Sequence, residues 1–315
     1  MPTPSARSAV RAVAVLDYFT THPTRPCTLS ELAVEVGASP SSLTSVLRAL
    51  TGAGYLVRHP RHKTYELGPA LVAVGRAASA RHPVVDLARP ELQRLAERFD
   101  ADCVGSVLVA DEILVLVVEG RASQNTRGVS IGHRIPLVPP FGEIWLAYSE
   151  PDAVRRWLAR VLPAEHDADA ARAEASELTD TEHRMHDILR RVRERGFAVN
   201  LRSERLDAFQ HALLGRRPYG EDAREQLARM AASFNSYELL DESPDATYEP
   251  EMIIAPVFGP DASVAFAITL TGLKPCTGSE IDSIAADVVE TGLRLTRAIG
   301  GRVPSSEQHG DRTAS

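Results

Sequence analysis

The chain has 315 residues, enough for about two domains, and 44% of them are apolar, enough for real cores. No run of 18 or more apolar residues occurs, so no membrane span is expected, and Met1 to Ser5 shows no basic-then-apolar signal sequence. The net charge is −7, and Cys27, Cys103 and Cys276 are too scattered for a zinc pattern or a disulfide framework, as expected in a reducing cytoplasm.

In chain order, Ala6 to Phe19 reads as a helix with Val10, Val13 and Leu16 inward and with Arg7 and Arg11 near its start, able to touch phosphate. His22 to Pro26 is a loop. Leu29, Leu32, Ala33 and Val36 then repeat at i, i+3, i+4 and i+7, one face of a helix. Thr28 and Glu31 fit a capping box that starts it, and Gly37 stops it. Ser39 is a good N-cap with Pro40 at the first helical position. Leu43, Val46, Leu47 and Leu50 give the second helix its apolar face. Two short amphipathic helices across a tight glycine turn form the helix-turn-helix pattern.

The outward face of that second helix carries Ser41, Ser42, Thr44, Ser45 and Arg48, small donors and acceptors with one cation. Tyr55 to Arg58 and Thr64 to Leu67 read as strands around a basic Pro60-Arg61-His62-Lys63 turn, a wing. Ser41, Ser42, Thr44 and Ser45 are expected to face bases, and Arg11, Arg48, Arg61 and Lys63 to face phosphates. The charge divides accordingly. Residues 1–68 hold seven Lys/Arg against four Asp/Glu, a balance of +3, which leaves −10 for the rest. A basic head on an acidic body fits a DNA-binding protein, and a head of only +3 points to a dimer.

Pro69 to Arg81 is an Ala/Val-rich helix, read as a linker and broken by His82-Pro83. Val84 to Arg98 is another helix, with Leu87, Leu92 and Leu95 apolar. From Cys103 the period changes to that of strands: Cys103–Val109, Ile113–Glu119 and Val129–Ile135. Apolar helices follow over Glu143–Tyr148 and from Pro151 through Val161, then a polar helix from about Asp180 to Arg195. Phe197–Asn200 begins an edge strand. Glu251–Phe258 and Ser263–Thr271 are apolar strands, and Ser279–Ile299 is a closing helix. Strands in succession with helices on one side predict an antiparallel α+β body.

Catalytic signatures are missing. Neither a P-loop nor Gly-x-Gly-x-x-Gly nor a Gly-x-Ser-x-Gly elbow occurs, and Cys103 has no evident His partner. His183 and His186 sit three apart but lack a third spaced ligand, and read as a solvated face. Trp145 and Trp157 read as core or interface. No enzyme, cofactor or metal is expected.

The chain resembles the IclR-type bacterial transcriptional regulators over nearly its whole length. In the head the resemblance rests on Ser8-Ala9-Val10-Arg11-Ala12, Leu29-Ser30-Glu31-Leu32-Ala33, Leu50 with Gly54-Tyr55-Leu56, and Tyr65-Glu66-Leu67-Gly68. In the body it rests on Ile131-Gly132-His133-Arg134-Ile135-Pro136-Leu137, Arg195-Gly196-Phe197-Ala198 and Ile254-Ala255-Pro256-Val257-Phe258. It implies a winged helix-turn-helix, a linker helix and a GAF/profilin-like effector-binding domain, assembled as a homodimer or tetramer on a double-stranded operator.

It also implies an effector site at Cys103, Phe141, Gly142, Glu143, Met252 and Ile254. The family often binds small organic acids there through backbone N–H groups at a helix start. This chain departs from the pattern. Pro40 and Ser45 stand where the recognition helix usually carries Lys and Arg. Pro140-Phe141-Gly142-Glu143 replaces a small Ala-Ser-Gly-Lys-like turn, and Met252-Ile253-Ile254 replaces Cys-Ile-Ala. The expected effector is therefore apolar or aromatic, in a pocket unfriendly to anions or occluded.

The expected division is a winged helix-turn-helix over residues 1–68, a linker helix over 69–82, an effector and oligomerisation domain over 83–302, and a disordered tail over 303–315. Extra chain from Leu201 to Tyr248 holds two helix candidates, Glu204–Leu214 and Glu221–Phe234, which would cap the pocket, widen an interface or be a solvated insertion. The expected function is an effector-controlled DNA-binding regulator, a repressor rather than an activator. The alternative is a ligand-binding or oligomerising module that binds DNA poorly.

Overall fold

The computed structural model describes residues 4–120, 129–139, 141–160, 171–203, 238–239 and 243–304. The helix candidates within 204–234 and the tail beyond 304 lie outside them. The chain divides into two compact units, Met1–Pro83 with Ser130–His133, and Val84–Val129 with Arg134–Ser315. Among the described residues no helix is long and apolar enough to cross a membrane.

The first unit runs α1 (Pro4–Thr21), β1 (Cys27–Thr28), α2 (Leu29–Glu35), α3 (Pro40–Gly52), β2 (Leu56–Arg58), β3 (Thr64–Leu67) and α4 (Ala70–Arg81). Its core joins Val15 and Phe19 of α1, Leu32 and Ala33 of α2, the α3 stripe Leu43, Val46, Leu47 and Leu50, and Leu56 and Tyr65 of the hairpin. Leu47 is fully buried, and truncating it to Ala would cost about 2–5 kcal/mol. The expected inward stripe of α1 is corrected. Val10 and Val13 are 65% and 55% exposed, and the buried pair is Val15 and Phe19, one turn apart. Leu16 is partly covered.

Local chemistry sets the α2 and α3 boundaries. The Glu31 N–H donates to Thr28 Oγ1 at 3.4 Å, while the Thr28 N–H donates to Glu31 Oε2 at 2.7 Å, a complete capping box. Those bonds from Thr28 hold the Glu31 carboxyl below the usual carboxylate range. Ser39 caps α3 by accepting from the Ser42 N–H, with Pro40 at the helix start. Thr28 also ends β1, which pairs with β3 to give a three-stranded sheet of order β1-β3-β2. That strand is an addition to the two expected. Gly68 closes the hairpin against the preceding turn. Its N–H donates to the Tyr55 carbonyl at 2.8 Å, and a Cβ there would lie 2.2 Å from the Gly54 carbonyl oxygen, so no other residue fits. No residue of α4 is buried.

The second unit runs α5 (Val84–Phe99), β4 (Asp102–Val109), β5 (Glu112–Glu119), β6 (Arg134–Pro136), α6 (Glu143–Leu146), α7 (Pro151–Leu158), α8 (Ala171–Arg195), β7 (Ala198–Leu201), β8 (Thr247–Tyr248), β9 (Pro250–Phe258), β10 (Val264–Thr271), β11 (Cys276–Thr277) and α9 (Gly278–Ala298). Six strands form one antiparallel sheet of order β6-β5-β4-β10-β9-β7. β7 is the last strand of this order, but it is not the bare edge expected: Glu238 bridges to Asn200 and the Leu239 N–H donates to the Val199 carbonyl at 2.9 Å.

Helices cover both faces of this sheet, which corrects the expectation of one. α5 and α9 pack with Cys103, Val117, Val257, Phe266 and Ile268 on one face. α6, α7 and α8 pack with Ile113, Ile254 and Ala267 on the other. A sheet buried on both faces needs apolar residues without alternation, and β9 is buried at eight of nine positions. The expected strand Val129–Ile135 shrinks to β6. The segment before it is a turn, with the His133 N–H bonded to the Ser130 carbonyl at 3.0 Å and the Ser130 N–H to His133 Nδ1 at 3.0 Å.

Candidate functional site

The outer face of α3 is built as the periodicity requires. With Leu43, Val46, Leu47 and Leu50 turned into the core, Ser41, Thr44, Ser45 and Arg48 are exposed. The hydroxyl protons of Thr44 and Ser45 are given back to the helix: Thr44 Oγ1 donates to the Pro40 carbonyl at 2.8 Å and Ser45 Oγ to the Ser42 carbonyl at 3.3 Å. What they offer outward is oxygen lone pairs, able to accept from an exocyclic base amine. Ser42 is different. It is half-buried, and its Oγ donates to the Ser39 carbonyl at 2.8 Å, so it belongs to the cap. Arg11 on α1 is also half-buried.

The wing tip is ordered by His59. Its Nδ1 accepts from the backbone N–H groups of Arg61 at 3.2 Å and His62 at 3.1 Å, and its ring lies 4.6 Å from that of His62. The tip leaves the exposed side chain of Arg61 outward. Lys63 has a left-handed backbone, φ 58°, and its ammonium folds onto the Pro60 carbonyl. Arg58 joins the expected wing residues as an exposed cation whose guanidinium lies 5.6 Å from the centre of the Tyr65 ring. The signal that could have found it is its place in the same hairpin as Arg61 and Lys63.

In the second unit a cavity of about 210 Å³ opens between the sheet and the start of α6. Phe141, Gly142, Glu143, Met252 and Ile254 line it, together with Ile135, Trp145 and Asn200. Cys103 does not. Its neighbours Asp102 and Val104 face the cavity, and alternation along β4 turns Cys103 to the opposite face, into the core under α5 and α9. Burial pushes its thiol well above the ordinary range, which makes it an inert core group.

Gly142 shapes the cavity mouth. Its φ of 103° lies in the left-handed region, and an added Cβ would sit 2.2 Å from Leu137 Cδ1. The turn is pinned from outside by Trp157, whose Nε1 donates to the Phe141 carbonyl at 2.9 Å. Glu143 follows, 2% exposed. Burial raises its carboxyl to about 7, opposed by hydrogen bonds from its own backbone, Asn200 and Gly142 and by the charge of Arg195. Glu143 Oε1 and the neighbouring Trp145 Nε1 have no hydrogen-bond partner among the described residues.

Behind Glu143 lies a buried polar relay for which no motif in the chain is a sign. Asn200 Nδ2 donates to Glu238 Oε2 at 2.7 Å, the Val199 N–H donates to Glu238 Oε1 at 3.0 Å, and Arg195 pairs with Glu238. Burial pushes the Glu238 carboxyl up and Arg195 pulls it down. Glu238 thus accepts from a guanidinium and two further donors. His183 and His186 are exposed, and no cluster of three metal-ligating side chains occurs among the described residues.

Comparison with known proteins fits both units. Residues 8–60 match the IclR helix-turn-helix domain. The DNA-binding transcriptional repressor YiaJ of Escherichia coli strain K12 is 25% identical over 154 residues, 48% of this chain and 54% of that protein, so the chain spans about half the length of the curated relative it matches. The structure of an IclR transcriptional regulator from Alicyclobacillus acidocaldarius aligns with a TM-score of 0.62 at 19% identity, covering 96% of this chain and 100% of that one. An IclR homologue from Microbacterium hydrocarbonoxydans, solved with 4-hydroxybenzoate, aligns at 0.59 with 15% identity, covering 93% and 98%. The chain thus carries an IclR helix-turn-helix domain within a chain-long fold shared with IclR-type regulators.

Proposed function

We propose that this chain is a cytoplasmic, sequence-specific DNA-binding transcription regulator, a repressor, whose body binds a small apolar or aromatic effector. The observation that carries this reading is one unit that matches the IclR helix-turn-helix domain and presents both an exposed Ser41, Thr44, Ser45 and Arg48 face on α3 and a basic wing tip. In this reading α3 enters the major groove, Ser41, Thr44 and Ser45 meet base edges, and Arg11, Arg48, Arg61 and Lys63 neutralise phosphates. Ser42 contributes by holding the helix start rather than by touching a base.

A head of +3 binds weakly alone, so two heads in a homodimer or tetramer would engage half-sites spaced by whole helical turns. The assignment of residues 1–68 as head, 69–82 as linker and 83–302 as effector and oligomerisation body belongs to the same proposal. The protein acts by binding rather than by catalysis. Effector and operator affinities must then be coupled reciprocally.

The test is selection of genomic fragments by the purified full chain, followed by fluorescence anisotropy on a selected duplex between about 50 and 200 mM salt. A steep loss of affinity with salt is expected. Failure to select any duplex, or a salt-independent affinity, overturns the reading.

A further inference from the structure

We propose that the cavity under α6 takes a small aromatic amine, its ammonium held by Glu143 and a neutral oxygen met by the Trp145 indole N–H, and turns away organic anions. The inference rests on the reading of that cavity as the effector site and names the chemistry it selects.

Size sets the first limit. A dry cavity of about 150 Å³ holds a benzene ring, so the volume of about 210 Å³ here suits one ring with a polar substituent. Ile135, Phe141 and Ile254 supply apolar and aromatic wall.

Charge sets the second. Three carboxylates line the cavity, those of Asp102, Glu143 and Glu251, and no Lys, Arg or His is among the described residues that line it. Glu251 is engaged by Arg202 at 3.1 Å, and Asp102 has partners of its own. Among the described residues that line the cavity, the groups with unused capacity are Glu143 Oε1 and Trp145 Nε1, on side chains of residues 2% and 6% exposed. Native interiors rarely leave such groups unmet, so each defines what a ligand must bring. An acceptor calls for a donor, and an indole N–H calls for an acceptor. A carboxylate ligand would satisfy Trp145 but would set a second negative charge against Glu143 in a low-dielectric space. An ammonium offers Glu143 a charge-assisted bond and meets no competing cation on the wall.

The experiment compares two compounds of like ring and opposite charge, tyramine and 4-hydroxyphenylacetate, by titration calorimetry and thermal shift on the full chain. Tyramine is expected to bind and raise Tm, and the acid to bind at least tenfold more weakly. E143Q is expected to weaken tyramine at least tenfold and to narrow or reverse the preference, with a circular-dichroism melt confirming that the variant folds. W145F, which keeps an aromatic ring without the N–H, is expected to weaken tyramine severalfold. Equal or tighter binding of the acid, an unchanged tyramine affinity in folded E143Q, or no heat with either compound overturns the proposal. Duplex binding is measured on the same preparation. If it persists while the amine fails, the ligand chemistry falls and the DNA-binding reading stands; if salt-dependent duplex binding also fails, the underlying reading falls with it.

Discussion

Replacing Glu143 with Gln should alter stability in a way that depends on pH, and the size follows from burial. The folded protein holds this carboxyl at about 7, against an ordinary 4.5. A carboxyl raised in the folded state stabilises relative to its ionised form at low pH, and that advantage is lost as pH rises through the folded value. The unfolded chain ionises from about 4.5 upward, so the wild-type penalty grows across the window from 4.5 to about 7 and is constant above it. Converted at the standard 1.36 kcal/mol per pH unit, the penalty is below about 1 kcal/mol at pH 5 and about 3 kcal/mol at pH 8. Gln keeps the shape and cannot ionise. The stability of E143Q relative to wild type should therefore improve by about 2–3 kcal/mol between pH 5 and pH 8, as an upper bound because Glu238 shares the site. Urea unfolding of both proteins at the two pH values gives the number. A variant-minus-wild-type difference that does not move with pH refutes the reasoning.

R195A removes the guanidinium from a fully buried Glu238 carboxylate and should cost about 3–5 kcal/mol, seen as a fall in the urea midpoint. R61A and K63A together should reduce the slope of log K against log salt by about one for each phosphate no longer neutralised, and an unchanged slope would take the wing tip off the duplex. G142A forces a side chain into a left-handed backbone and against Leu137, so a loss of about 1–3 kcal/mol is expected, together with disappearance of the ligand-induced thermal shift. T28A deletes one half of a capping box and should lower stability by about 1 kcal/mol in the same urea assay.

The parts of the fold legible in the sequence are those fixed by neighbours in the chain. The caps of α2 and α3 depend on Thr28 with Glu31 and on Ser39 with Pro40, residues at most three apart, and both helices begin where those signals stand. β1 depends on pairing Cys27 with Tyr65, and a two-residue strand has no periodicity to read. α1 carries two apolar stripes, and sequence alone does not rank Val10 and Val13 against Val15 and Phe19; the helices packed beside them do. Cys103 shows how sharply strand register matters, since a shift of one position exchanges the cavity face for the opposite core. The double covering of the sheet was readable. The run from Ile253 to Phe258 lacks polar alternation, the mark of a strand with helices on both sides. The site is legible only as a set of wall residues. The link from Glu143 through Asn200 to Glu238 and Arg195 spans distant parts of the chain, and only the folded arrangement shows which indole and which carboxylate oxygen are left over.

The imidazole at the wing tip carries a consequence for how the protein grips a duplex. Because Nδ1 of His59 receives two backbone N–H groups, its hydrogen must reside on Nε2. The hairpin's aim is thus written in a tautomer. The ring acts as a hinge pin for the turn, fixing the backbone from which Arg61 reaches.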